Sequence, residues 1–272
     1  MGIKVGENYL TTLFFADDQV IIANSEEDVD YMFRKLKEEY IRWGMKINMA
    51  KTEYLRVGAE EEDPELQLRE IKQCEEFKYL GSIISSKGST ERDIQRRVQQ
   101  GQKSVRILNS LLWSNRMSLM AKVTIYRAVV EPILSYGSEC WQLTESAKRK
   151  IDTVEMDYLR RSCRISRFDR VTNAEIRRRT NRIHTTSERI ETRQLIWFGH
   201  MQRMADSRWP KKAFTYNPPN KRKRGRPPTT WIKGVRNAMQ DRALREGDWV
   251  NRKQWRSKCG KGCRTPPKVS NK

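Results

Sequence analysis

Leu13-Phe14-Phe15-Ala16-Asp17-Asp18-Gln19-Val20-Ile21-Ile22-Ala23 sets two adjacent carboxylates between two short apolar arms. Runs of Leu, Phe, Val and Ile this short read as buried strands. An Asp pair between them suits a tight hairpin turn. Two carboxylates projecting from one tip can hold Mg²⁺, which takes oxygen ligands and usually needs only one or two carboxylates beside substrate phosphates. A second ion about 4 Å away would complete the clamp used in nucleotidyl transfer. Asp is also common in turns because its side chain bonds the local backbone, so the pair takes its weight from the downstream sequence.

Ser25-Glu26-Glu27-Asp28 is a helix start, with Ser25 as N-cap, Asp28 in the reciprocal position of a capping box and acids facing the helix dipole. Val29, Met32, Phe33, Leu36, Tyr40 and Trp43 recur at helical spacing, and Gly44 ends the run. Met45 to Thr52 leads to a strand at Tyr54-Leu55-Arg56-Val57. An acidic linker then spans Ala59 to Pro64, and Phe77 to Ile84 returns to strand. The pattern predicts an antiparallel β-α-β-β unit over residues 1–85.

Phe15-Ala16-Asp17-Asp18, then Gly44-Met45-Lys46-Ile47-Asn48 with Lys51-Thr52, then Tyr79-Leu80-Gly81 resemble, in order and spacing, three successive palm motifs of reverse transcriptases from non-long-terminal-repeat (LINE-type) retrotransposons. The commonest family residue before the Ala is Tyr, and Phe15 keeps the ring without the hydroxyl. The resemblance implies that Asp17 and Asp18 are metal-binding carboxylates and Mg²⁺ the cofactor of a complete palm. It implies that Lys51 protonates departing pyrophosphate, a general-acid task, and that Tyr79, Leu80 and Gly81 grip the primer, Gly81 letting the backbone come close. Lys51 reads equally well as a surface lysine before a strand. Of the family's earlier palm motif, the sixteen residues before Asp17 offer only Glu7, in a Gly-Glu-Asn turn that does not match. The expectation is therefore a partial palm that does not polymerise DNA by itself and is completed by a missing polymerase half in a longer product.

Lys and Arg number 55 against 34 acids, a net charge of +21. Residues 1–85 hold 11 basic and 18 acidic residues, leaving 44 and 16 for residues 86–272. One-signed charge of that size points to a nucleic-acid partner, with phosphate neutralisation and counterion release as the driving force. Ile94, Val98, Val105, Leu108 and Leu112 mark one helix with Arg92, Arg96, Arg97, Lys103 and Arg106 on its polar side, and Gly101 permits a close approach. A second helix runs from Ser118 and is kinked at Pro132; a third spans about Glu145 to Cys163. After a palm, three such helices over residues 86–165 resemble the thumb that clasps an RNA template–DNA primer duplex, Arg96 and Arg97 among its contacts. The aromatics of Tyr136-Gly137-Ser138-Glu139 and Trp141 are assigned to packing.

Residues 166–272 read as a basic helical region with a linker at 217–230. Thr172 to Glu175 starts a short helix, Arg189 to Met204 a longer one, and Trp231, Ile232, Val235 and Met239 another, followed more loosely by Trp249 and Trp255. The Leu195–Met204 run, Arg208-Trp209-Pro210 and Lys221–Trp231 resemble the C-terminal region of the same family. Within the linker, Lys221, Arg222, Lys223, Arg224 and Arg226 offer an import patch or, through Arg224-Gly225-Arg226-Pro227, an AT-hook strip that enters a narrow minor groove of target DNA. A solvated linker explains them equally. The alternative to a polymerase fragment is thus a non-catalytic nucleic-acid-binding module.

Five scattered Cys exclude a disulfide framework and fit a reducing compartment. Cys259-Gly260-Lys261-Gly262-Cys263 has no compact second pair to complete a zinc site. No apolar stretch nears the roughly 20 residues of a membrane helix, and no signal peptide opens the chain. The expectation is an intracellular protein, nuclear or cytoplasmic, without a membrane partner. The fold class is α+β.

Overall fold

The computed structural model describes residues 1–58, 71–216 and 230–260. The acidic linker read at Ala59–Pro64 falls outside the described residues. The fold is α+β: small strand pairs first, helices after. Packing divides the described residues into two units, one within Met1–Tyr79, Ile83–Gly88 and Met204–Arg224, the other within Leu80–Ser82, Ser89–Arg203 and Gly225–Lys272.

The first unit is a set of two-stranded pieces. β1 (Ile3–Val5) and β2 (Asn8–Leu10) close over the Gly6-Glu7 turn, and β3 (Thr12–Phe15) and β4 (Asp18–Ile21) form the Asp-pair hairpin. α1 (Glu26–Arg42) comes next, its first turn capped by Ser25 Oγ accepting the Asp28 N–H at 3.2 Å. Gly44 at φ 71 turns the chain out of the helix. Tyr40 donates its hydroxyl hydrogen to Gln19 Oε1 at 2.6 Å, tying α1 to β4. β5 (Glu53–Leu55) pairs with β6 (Lys72–Cys74), and β7 (Glu76–Tyr79) with β8 (Ser82–Ser85).

Two expectations fail here. The β5–β6 pair is parallel, and among the described residues the strands make four separate two-stranded sheets in place of one antiparallel palm sheet. The arms of the Asp hairpin are not buried either. Leu13, Phe14 and Phe15 are exposed, the two Phe by 67% and 61%. With no third strand beside it among the described residues, the hairpin has α1 against β4 as its support, and the β3 arm stays exposed, so apolar content alone does not bury it. Val5 and Phe33 are the only buried apolar residues of this unit among the described residues.

The second unit has a hydrophobic core drawn from residues between Ile94 and Ile190. α2 (Glu91–Ile107) and α3 (Asn109–Trp113) divide at Leu108, where a single helix was expected. The run from Ser118 forms α4 (Leu119–Ile125), a π-helical turn at Tyr126–Val130, and α5 (Glu131–Ser135). Pro132 has no N–H for an i→i−4 bond, and the ladder widens one residue earlier, where the Glu131 N–H reaches Tyr126 O. α6 (Glu145–Ser162) packs against α2 and α3 and supplies Ile151, Val154, Tyr158 and Leu159 to the core. The close approach expected at Gly101 is real: a Cβ there would stand 2.5 Å from Leu134 Cδ2.

α7 (Asn173–Arg179) and α8 (Thr186–Gln202) continue that core, α8 opening three residues earlier than its apolar spacing implied because Thr185 and Glu188 form a full capping box. α9 (Trp209–Thr215) lies in the first unit. α10 (Trp231–Asp241) and α11 (Arg252–Cys259) pack on α8. A Cβ on Gly199 would fall 2.2 Å from Trp255 Nε1, and that indole donates to Leu195 O at 3.0 Å. α7, α8, α10 and α11 thus fall in the same unit as α2 to α6.

Polar groups are built into this core. Glu155 is fully buried between Arg177 at 2.8 Å and Arg182 at 2.7 Å, and accepts the Thr186 N–H at 3.2 Å. Arg182 also meets Glu131 at 3.2 Å, and Arg189 reaches the other oxygen of Glu131. Tyr126 lies in the same pocket against Thr186, its phenol pushed well above the usual range by burial and then by Glu155. Lys122 donates to the carbonyls of Leu112 and Ser114 at 2.6 and 2.7 Å, closing the end of α3; burial lowers its pKa.

Candidate functional site

The β3–β4 register pairs Phe15 with Asp18 and leaves Ala16 and Asp17 as a two-residue turn. Ala16 sits at φ 51, a left-handed conformation that an alanine adopts at a cost of about 1–2 kcal/mol. The turn therefore places Asp17 at the tip and Asp18 as the first residue of the return strand. Both carboxylates are exposed, and among the described residues no side chain bonds to either. Free, adjacent carboxylate oxygens are the donor chemistry Mg²⁺ takes. Among the described residues no group of three or more His, Cys, Asp or Glu is placed to hold a metal.

Lys51 is exposed in the turn before β5, where its N–H bonds Asn48 O and the Thr52 hydroxyl donates to the same carbonyl. Among the described residues none bonds its amino group.

Tyr79, Leu80 and Gly81 form the β7–β8 turn. Leu80 at φ 47 and Gly81 at φ 87 are both left-handed, the pattern of a type I′ hairpin, with Leu where Asn is commonly found. Side chains of the helical unit hold both carbonyls of this turn. Tyr136 Oη donates to Leu80 O at 2.7 Å, and Arg97 Nη2 donates to Gly81 O at 2.6 Å. The Arg97 guanidinium lies 4.3 Å from the Tyr136 ring centre. Gly81 does permit a close approach, but to Tyr136, whose ring carbon would stand 3.2 Å from an added Cβ.

Arg97 was expected on the solvent face of α2, yet its side chain is only 11% exposed. Asp93, one turn earlier on the same face, is buried and accepts the Trp141 indole N–H at 2.9 Å. Sequence reading missed Asp93 and the Tyr136 role. Their signal was the i,i+4 Asp93/Arg97 pair on an otherwise apolar stripe. Arg96 faces outward, half-buried. Trp141 is packed as expected, at 2% exposure. Lys221, Arg222, Lys223, Arg224 and Arg226 lie outside the described residues, as does Cys263.

Residues 4–84, which contain the Asp hairpin and the type I′ turn, match the model of the reverse transcriptase (RNA-dependent DNA polymerase) family. The chain carries a reverse-transcriptase region. Most of its length is also similar to a transposon-derived protein of Caenorhabditis elegans, 26% identical over 251 residues that span 88% of this chain and 89% of the relative. The reverse-transcriptase region thus covers the first unit's strands, whereas the likeness to the transposon-derived protein extends through the helical unit. Among the described residues no helix is long and apolar enough to cross a membrane.

Proposed function

We propose that this chain is the palm-end, thumb and C-terminal portion of a non-long-terminal-repeat retrotransposon reverse transcriptase, and that it holds template–primer duplex or target DNA. The match of residues 4–84 to the reverse-transcriptase family carries this reading. The likeness of the helical unit to a transposon-derived protein and its excess of basic residues support it.

In this reading Asp17 and Asp18 hold Mg²⁺, and among the described residues neither carboxylate is drawn into an internal salt bridge. Bound there, the ion supplies charge neutralisation at phosphate oxygens. Lys51 acts as proton donor to the leaving pyrophosphate. The Leu80-Gly81 turn contacts the primer strand while Tyr136 and Arg97 fix its carbonyls. Extension requires metal donors and a nucleotide pocket from further polymerase sequence, and the work belongs in the nucleus, where target DNA lies.

The test is fluorescence anisotropy on an RNA–DNA hybrid and on duplex DNA, with primer extension run in parallel. Binding of the hybrid that survives Asp17→Asn/Asp18→Asn, without extension by the chain alone, is the expected result. Absence of any nucleic-acid binding near physiological salt would overturn the reading. Extension above background would overturn its dependence on further sequence.

A further inference from the structure

Between α6 and α7 the chain makes a seven-residue loop, Arg164-Ile165-Ser166-Arg167-Phe168-Asp169-Arg170, whose tip carries the most exposed large apolar side chain among the described residues. Phe168 is 94% exposed. The loop around it is built rather than loose. α6 ends in paired bonds from Ile165 N–H to Arg160 O at 3.0 Å and from Arg164 N–H to Arg161 O at 2.9 Å, the arrangement that ordinarily has glycine at its left-handed position. Here Arg164 occupies that position at φ 56, and Arg170 is left-handed as well at φ 53. Asp169 Oδ2 accepts the Ser166 N–H at 2.6 Å, and Ser166 Oγ accepts the Phe168 N–H at 3.2 Å. The Arg160 guanidinium closes the far end by donating to Val171 O at 2.6 Å and to Asn173 Oδ1 at 2.9 Å.

The charges are as informative as the ring. Arg164, Arg167 and Arg170 are exposed, and among the described residues none of the three guanidinium groups has an ion-pair partner. The loop's one acid, Asp169, uses a carboxylate oxygen on the loop's own backbone. A solvent-facing phenyl ring on a hydrogen-bonded loop, flanked by three free guanidinium groups, matches what a strand with unpaired bases presents: a π-face to stack on and phosphates on either side. An acidic protein surface would satisfy the arginines, yet it leaves an isolated ring at a narrow tip without an apolar socket.

We infer that the Arg164–Arg170 loop is a single-strand contact in which Phe168 stacks on an unpaired base while Arg164, Arg167 and Arg170 bind the adjoining phosphates. This deepens the proposed nucleic-acid function and rests on it. The loop would engage the unpaired part of a template or a displaced strand, separately from any duplex held elsewhere.

The experiment is anisotropy with one labelled sequence as single-stranded RNA, as single-stranded DNA and as duplex DNA, over a salt series. Phe168→Ala is expected to weaken binding of one or both single strands about tenfold, leave duplex binding within about twofold and leave the salt slope unchanged. Phe168→Trp restores the single-strand affinity and Phe168→Leu does not. Arg164→Gln/Arg167→Gln/Arg170→Gln lowers affinity and reduces the single-strand salt slope by about 2. The difference between the RNA and DNA arms says which strand the loop takes. Because Phe168 packs on nothing, unchanged thermal unfolding accompanies its variants. Unchanged single-strand binding by Phe168→Ala, with wild-type binding intact, overturns the loop alone, and so does an equal loss on duplex. A wild-type chain that binds no nucleic acid overturns the loop and the proposed function together.

Discussion

The two units of this chain spend their apolar residues in opposite ways. In the helical unit Leu112, Leu134, Ile151, Leu159, Ile176, Ile190 and Leu195 are fully enclosed, and even charged groups lie inside. In the strand unit Phe14, Phe15, Ile41, Trp43 and Val57 are each at least 60% exposed, and among its described apolar residues only Val5 and Phe33 are buried. Side chains of similar hydrophobicity thus stabilise one unit and leave the other with little to hold it. Packed helices surround a side chain with neighbours on several sides, whereas an isolated two-stranded hairpin offers only a cross-strand partner. The helical unit encloses its apolar residues; the strand unit leaves most of its own exposed.

The strongest way to break that contrast is to open the core of the helical unit. Glu155→Ala leaves Arg182 and Arg177 buried without their carboxylate. Removing one partner of a buried ion pair costs about 3–5 kcal/mol, a large share of an ordinary domain's stability. Urea unfolding followed by helical circular dichroism measures it. A loss under about 1 kcal/mol would mean that water already reaches Glu155 and that the unit is looser than its packing.

A smaller loss, about 1–3 kcal/mol, is expected from Gly199→Ala, because the new methyl meets the rigid Trp255 indole. Its value lies in what unfolds. If α11 belongs to the same cooperative body, the whole helical transition shifts to lower urea. If only Trp fluorescence responds while the helical signal holds, α11 is an appendage, and the boundary read near residue 165 regains its meaning.

Alkaline pH probes the same body from another side. Burial pushes the Cys259 thiol up from 9.0 to about 12, and the Tyr158 phenol from 10.0 to about 12. A group whose folded pKa is raised contributes stability fully below its unfolded pKa, and that contribution is lost as pH rises through the folded value. The urea midpoint of the helical unit should therefore fall between pH 9 and 12. Cys259→Ala should show a shallower fall over that window. Parallel pH profiles for the two proteins would show that Cys259 is not enclosed in solution.

Much of this was legible in the sequence, and the misses have physical causes. Helix starts were readable at Ser25, Ser118 and Thr172, because a cap is a local hydrogen bond, while the Thr185 cap of α8 was passed over for the apolar spacing that begins later. The hairpin at Asp17 and Asp18 was readable because turn chemistry is local too. Strand partners were not: nothing in Tyr54-Leu55 tells that residues 72–74 run alongside in parallel, since pairing is settled by distant chain. Burial of the Phe14 and Phe15 arms was misjudged because apolar content says that a residue can be buried, not that a partner is present. Arg97 was placed on the surface by its charge, while Gly81 O, Tyr136 and Asp93 gave that charge an interior position. The Phe168 loop went unnoticed because no periodicity marks it; its signal was a lone aromatic amid arginines at a helix end.

The smallest effect sharpens the comparison most. Phe14→Ser/Phe15→Ser replaces two rings that touch little, so thermal unfolding should move by no more than the roughly 0.5 kcal/mol usual for surface changes. The same variant should remain monodisperse in light scattering at concentrations where the parent associates, because an exposed apolar hairpin is an adhesive surface. Deleting a buried side chain of the helical unit, Leu134→Ala, costs about 2–5 kcal/mol by contrast. If the double Ser variant instead lost more than about 1.5 kcal/mol, a loss of core-substitution size, those rings would be covered in solution. The contrast between an enclosed helical unit and an open strand unit would then fail at the hairpin that carries Asp17 and Asp18.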